Sequence, residues 1–203
     1  MTEFGFTTQK LPYKEDVTVL EPKKAFEHFV APRLHDNNWI EDSSKLTDTN
    51  MSSREWAGLV VYALSLSQLT GKALLVGKDS RDGDGAVAIA LPNGNYDGLF
   101  VEQTLLTHRA HDNLLEGVKE RIEGKSSKGK SYVGKQDLIL WCNIDGTVDI
   151  DKITDIIEAD SNLFRSVAVI GFNKATNIFM CYIFKKDHGM VGNYTYTYDD
   201  LMP

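Results

Sequence analysis

The stretch Asp137-Leu138-Ile139-Leu140-Trp141-Cys142-Asn143 constrains the fold more than any other part of the chain. A strand with one wet face alternates apolar and polar residues, because successive side chains point to opposite sides. The apolar run from Leu138 to Cys142 is unbroken, so the segment is predicted to be a central strand covered on both faces. A helix precedes it. Leu114, Leu115, Val118 and Ile122 recur at helical spacing, and Gly124 is expected to close that helix. Further upstream, Ala86–Leu91 and Leu99–Leu106 flank Pro92-Asn93-Gly94-Asn95, whose residues favour positive φ and therefore a hairpin. A strand that returns through a helix to a neighbouring strand runs parallel to it. The expected fold class is α/β, a mixed central β-sheet flanked by helices on both faces.

The remaining elements fit that frame. Glu21-Pro22 puts proline in a first helical turn, followed by Ala25, Phe26, Phe29 and Val30 until Pro32 stops the run. Residues 36–51 are rich in Asp, Asn, Ser and Thr and read as a surface loop whose one large apolar feature is Trp39-Ile40. Ser52 or Ser53 can cap a second helix, striped by Trp56, Leu59, Val60, Ala63 and Leu64 and ended by Gly71. Lys72–Gly77 reads as a short buried strand, and Asp149 or Asp151 caps a helix carrying Ile153, Ile156 and Ile157. Val167–Phe172 and Ile178–Phe184 are two further strands; the alternating Tyr194–Tyr198 fits an edge strand or a frayed tail. Residues 1–20 form an arm with one short strand, and with no repeat and no linker, residues 1–203 read as a single domain.

Charge and motifs then narrow the chemistry. Lys and Arg number 22 against 29 Asp and Glu, for a formal charge of -7, so the whole surface cannot be a polycationic nucleic-acid binder. A local basic patch is compatible with that balance. No apolar run approaches the roughly 20 residues of a membrane helix. Met1-Thr2-Glu3-Phe4 also lacks the basic and apolar regions of a signal peptide, so a cytoplasmic protein with no membrane partner is expected. GxGxxG, GxSxG and HExxH do not occur; residues 124–131, GKSSKGKS, spell GxxxxGK[ST], but they lie between an expected helix and an expected strand, the reverse of the strand-to-helix order in which a P-loop cradles phosphate. Cys142 and Cys181 fall inside apolar strands without a CxxC pattern and are expected to be inert core thiols. Trp39, Trp56 and Trp141 are expected in the core as well.

Glu102 breaks the local rule. It stands in the middle of the apolar strand Leu99–Leu106, where a charge costs several kcal/mol unless a metal, a cation or a water-filled cleft receives it. By the period of two, Phe100, Glu102, Thr104 and Leu106 share a face and Gln103 lies on the other. Folding about Asn93-Gly94 places Glu102 across from Ala86 or Ala88, with Asp84 arriving on the same face near the start of its strand. Small alanines beneath two acids leave room for an ion; the alternative is a solvent-facing edge or a lysine partner.

Asp84, a hairpin, Val101-Glu102-Gln103-Thr104, a helix and the buried strand Asp137–Asn143 come in an order that resembles the restriction-endonuclease-like PD-(D/E)XK superfamily. The resemblance covers about residues 54–143, with residues 144–203 extending the sheet. It implies that Asp84 and Glu102 bind Mg2+, and that a lysine two beyond the Glu orients the attacking water. Here that position is Thr104, and Gly83 stands where the superfamily has proline. The implied activity is metal-dependent hydrolysis of phosphodiester bonds in DNA, with catalytic positions Asp84, Glu102 and Thr104. Thr104 cannot supply a positive charge, so a lysine must reach in from elsewhere or the site is inactive. Lys78 and the basic loop carrying Lys125, Lys128, Lys130 and Lys135 are the candidates. That loop, read as a mobile linker, and Arg109 next to His108 and His111 are the expected phosphate contacts. Asp79, Asp82 and Asp97 are turn acids first and alternative ligands second. A second reading keeps the fold without the activity, as a module for protein or nucleic-acid interaction. Both are compatible with a homo-oligomer.

Overall fold

The computed structural model describes residues 9–10, 19–46, 51–78, 84–94, 96–107, 113–129, 136–143, 148–159 and 164–203. The chain forms β1 (Gln9–Lys10), β2 (Val19–Leu20), α1 (Pro22–Phe29), α2 (Ser53–Thr70), β3 (Leu75–Gly77), β4 (Gly85–Ala90), β5 (Tyr96–Thr107), α3 (Leu114–Ser126) and β6 (Gln136–Asn143). It continues through α4 (Ile150–Glu158), β7 (Ser166–Asn173), β8 (Ile178–Lys185), β9 (Gly189–Tyr196) and α5 (Tyr198–Leu201). Every described strand joins one sheet, in the order β2-β3-β4-β5-β6-β7-β8-β9, with β1 added alongside β5. The N-terminal segment thus contributes two short strands where one was expected. Strands β5, β6 and β7 are parallel and the other pairs antiparallel, so the mixed sheet implied by the helical crossover is present.

The unbroken apolar run of β6 is explained by its position. Ile139 and Trp141 enter the core under α2, whereas Leu138 and Leu140 enter a second core with Val118 and Ile122 of α3 and Ile153 and Ile157 of α4. α1 packs on α2, bringing the Phe29 ring against Trp56 with centroids 4.5 Å apart. Trp39, Trp56 and Trp141 are all buried. Cys181 is buried and Cys142 half-buried, and desolvation pushes both thiols up to about 12, which keeps them protonated. Among the described residues no helix is long and apolar enough to cross a membrane.

α2 begins at a capping box. The Ser52 hydroxyl accepts from the Glu55 amide, and the Glu55 carboxylate accepts from the Ser52 amide at 2.6 Å. It ends at Gly71, whose φ of 68° is left-handed. Two boundaries differ from expectation. Strand β3 is hydrogen-bonded only from Leu75, and α3 runs through Gly124 to Ser126. Gly inside a helix costs only about 1 kcal/mol, and burial of Val118, Ile122 and Ser126 holds the last turn in place. Lys125 therefore belongs to a helix and not to a mobile loop.

The Asp137 carboxylate at the start of β6 ties both layers together. It accepts from the Tyr62 hydroxyl of α2 at 2.8 Å and from the Arg165 guanidinium at 3.1 and 3.2 Å, and Tyr62 also meets the Ser166 hydroxyl at 2.8 Å. Asp137 is 2% exposed, so removing its charge takes a buried carboxylate from Arg165 and one of two hydrogen bonds from Tyr62. Asp137→Ala is expected to cost about 3–5 kcal/mol, and Tyr62→Phe, which removes one hydrogen bond to a carboxylate, about 1.5–3 kcal/mol. Urea unfolding of the two variants measures both losses; equal stabilities for all three proteins would refute this role.

Candidate functional site

The site is built where β4 begins. Register pairs Gly85 with Val101 and Ala86 with Phe100, and Ala88 stands opposite Gly98. Neither alanine therefore lies across from Glu102, contrary to the expected hairpin register. The ladder begins at Gly85, and Asp84 precedes it as a bend whose amide donates at 2.9 Å to the carbonyl of Val101, the residue that Gly85 already faces. The shift from the expected register is an even number of residues, so the paired side chains keep their faces. A Cβ on Gly85 would come within 2.4 Å of Leu59 in α2. Gly85 thus faces α2.

Each acid has a defined set of partners. Asp84 Oδ2 accepts from the Gln103 amide at 2.8 Å. Glu102 is 4% exposed, and its Oε1 receives an ion-pair hydrogen bond from Lys125 Nζ, with Lys128 Nζ at 3.8 Å. Topology explains the arrival of Lys125. α3 is the crossover between parallel β5 and β6, so its last turn lies near the start of β6, and Glu102 pairs with Leu138 there. A cation in the last turn also suits the negative end of the helix dipole. Lys128 follows in the turn after α3. Thr104 is half-buried beside Leu140 of β6 and offers a hydroxyl without charge.

Burial first, and then the charge of Glu102, push the Asp84 carboxyl above its ordinary value of 3.8; the Gln103 amide hydrogen bond opposes this, Glu55 adds to it and Lys125 relieves it. Glu55 was not among the expected site residues. It is 5% exposed, carries the capping box of α2, and receives Lys45 Nζ at 2.6 Å on both oxygens. Gln103 connects it to the sheet by donating from Nε2 to the Glu55 carbonyl at 2.9 Å. Gly58 makes this approach feasible, since a Cβ there would lie 2.4 Å from Gln103 Oε1 and 2.7 Å from Trp141 Nε1. The sequence signal that could have found Glu55 is the Ser52-to-Glu55 box one turn ahead of Gly58. Arg54 brings a further cation: burial pushes its guanidinium down while Glu55, Asp84 and Asp42 hold it up, and its Nη1 donates to the Ile40 carbonyl at 3.0 Å.

The structure thus brings together Asp84, Glu102, Lys125 and Lys128. Asp97 lies on β5 opposite Ile89, on the other face from Glu102 by alternation. Lys78 follows β3. Arg109, Lys130 and Lys135 lie outside the described residues, as do His108, His111, Asp79 and Asp82. Among the described residues no group of three or more His, Cys, Asp or Glu side chains is placed to hold a metal ion. No protein family, curated protein or solved structure matches the chain.

Two acids within electrostatic reach of each other cost stability when both are ionised. Folding raises the Asp84 pKa, so the folded chain holds that proton longer than the unfolded chain. The stability this group contributes is present below the ordinary value of 3.8 and is lost as pH climbs through the folded value. Asp84→Asn removes that loss and keeps an oxygen for the Gln103 amide. It is expected to be more stable than wild type at pH 7 by about 0.5–1 kcal/mol, screening at this half-buried position keeping the gain small. The advantage should shrink as pH falls toward 4; a variant less stable than wild type at pH 7 would contradict the electrostatic account.

Proposed function

We propose that this chain is a nuclease-like protein of the PD-(D/E)XK type that hydrolyses phosphodiester bonds in DNA with Mg2+. The observation that carries the reading is the convergence of Asp84, Glu102 and Lys125: one carboxylate held on the amide of Gln103 next to Glu102, and a lysine amine seated on Glu102 itself. Those are the acid, acid and lysine that the superfamily requires, with the lysine delivered from α3 in place of Thr104. The parallel β5–β6 pair joined by α3 supports the same reading at the level of fold.

The donor set suits the metal. Carboxylate oxygens are the hard ligands that Mg2+ takes, usually one or two of them with waters and substrate oxygens completing the shell. Glu102 already carries a cation in the form of the Lys125 ammonium, so a positive charge is at home there. Bound Mg2+ would supply polarisation of a phosphoryl oxygen and a water acidified toward neutral pH. The chain's own residues do the rest. Asp84 and Glu102 hold the charge at the head of β4, the Gln103 amide orients Asp84, and the Lys125 ammonium donates hydrogen bonds to the attacking water or the scissile phosphate. Lys128 contacts the neighbouring phosphate; Lys130, Lys135 and Arg109, which lie outside the described residues, are proposed as further phosphate contacts. This local cluster supplies the basic patch that a chain of net charge -7 needs in order to approach DNA.

A second reading, an interaction module that has lost catalysis, is favoured by one feature: the Lys125–Glu102 pair satisfies the buried acid without any metal. Incubation with supercoiled, linear and single-stranded DNA in Mg2+ or Mn2+ separates the two. Cleavage is expected, abolished in Glu102→Ala and lowered about a hundredfold or more in Lys125→Ala. Lys128→Ala should reduce the log-log salt slope of duplex binding by about 0.9. Activity that survives Glu102→Ala ends the assignment, and DNA left intact under every condition moves the chain to the interaction module.

A further inference from the structure

Charge balance at the site has a consequence for how its ligands arrive. Asp84 and Glu102 carry two negative charges, and Lys125 and Lys128 bring two positive ones to the same Glu102 oxygen. The quartet is formally neutral. Glu102 is 4% exposed, so water screens these charges weakly. A divalent cation added alone makes the cluster doubly positive and sets it against an ammonium already seated on one of its ligands. A phosphate anion added alone must draw Lys125 away and leave the buried Glu102 facing the more solvated Lys128 at 3.8 Å. When the two arrive together, the cation replaces the ammonium on Glu102 and the ammonium turns to the phosphate.

We infer, building on the metal-dependent reading above, that Lys125 is a place-holding counter-ion which makes divalent-metal and nucleic-acid binding at Asp84 and Glu102 mutually dependent. The geometry suits a moving amine on a fixed backbone. Lys125 sits in the last turn of α3, anchored by the buried neighbours Ile122 and Ser126, while its own side chain is 22% exposed and reaches Glu102 through a flexible stem. Linkage requires the coupling to be reciprocal: the factor by which the nucleic acid tightens the metal is the factor by which the metal tightens the nucleic acid.

The test measures Mn2+ affinity by electron paramagnetic resonance of the free ion, for wild type and Lys125→Met. Each is titrated alone and with a short duplex carrying phosphorothioate linkages, and duplex affinity is measured with and without Mn2+. In wild type the duplex is expected to tighten Mn2+ about tenfold or more, with the same factor in the reverse direction. Lys125→Met, which keeps the length and removes the charge, is expected to bind Mn2+ alone about tenfold more tightly than wild type. Its thermal midpoint should lie below wild type without metal and recover on adding Mn2+. Equal wild-type Mn2+ affinity with and without duplex overturns the inference, and this measurement needs no variant to fold. Lys125→Met binding Mn2+ no more tightly than wild type overturns it too. If wild type still cleaves DNA in either case, the proposed function stands and only the place-holder falls. No Mn2+ binding under any condition, together with intact DNA, removes both.

Discussion

Glu102 can be buried inside a sheet because α3 ends beside it. A carboxylate buried in the middle of a strand must be matched by a cation, and the parallel pairing of β5 with β6 decides where that cation comes from. The crossover helix between parallel strands has to return to the sheet end where the second strand starts. Its C-terminal turn therefore passes the first third of β6, opposite Glu102. The apolar faces of Val118 and Ile122 fix the helix axis, and Lys125 is the next residue of that last turn able to reach down. Fold topology, core packing and the charge balance of the site are one arrangement seen at three scales.

The opposite layer matters to the same site through Gln103. Its amide holds Asp84 and its side chain holds the backbone of Glu55, so one residue spans the strand that carries Glu102 and the helix that carries Glu55. Lys45 and Lys125 then neutralise the outer acids, leaving Asp84 as the carboxylate that burial and its neighbours drive upward. A group held in that condition lowers the stability of the fold, as functional carboxylates commonly do. The Asp137, Arg165, Tyr62 and Ser166 network next to it supplies the compensating rigidity. It joins α2, β6 and β7 within the same sheet end.

What could be read in the sequence was whatever depends on local periodicity. β6, the β4–β5 hairpin and the stripes of α2 and α3 are spelled out by apolar spacing, and Glu102 is conspicuous because it violates that spacing. Three features depended on distant contacts and were misread or passed over. Gly124 looked like a helix end, yet tertiary burial of Ile122 and Ser126 outweighs its propensity. Turn chemistry at Asn93-Gly94 fixed the hairpin but not its register, so Glu102 was placed across from Ala86 or Ala88, which pair instead with Phe100 and Gly98. Glu55 reads locally as a capping residue, and only the packing of α2 on β5 through Gly58 and Gln103 brings its charge to Asp84.

A lysine on a helix end differs physically from one on a strand. A strand residue two positions after Glu102 would project from the sheet on the same face, held at a fixed distance from the acid. Lys125 approaches from across the layer, on a long stem whose base is fixed and whose tip is partly solvated. In the exchange proposed above such a group would leave the carboxylate for another anion, and a ligand shifts it only through a difference in affinity for those two states. With Thr104 in the strand position, the proposed exchange would let the charge of this site follow its occupants. That adjustability would reconcile a net charge of -7 with a local site able to face phosphate.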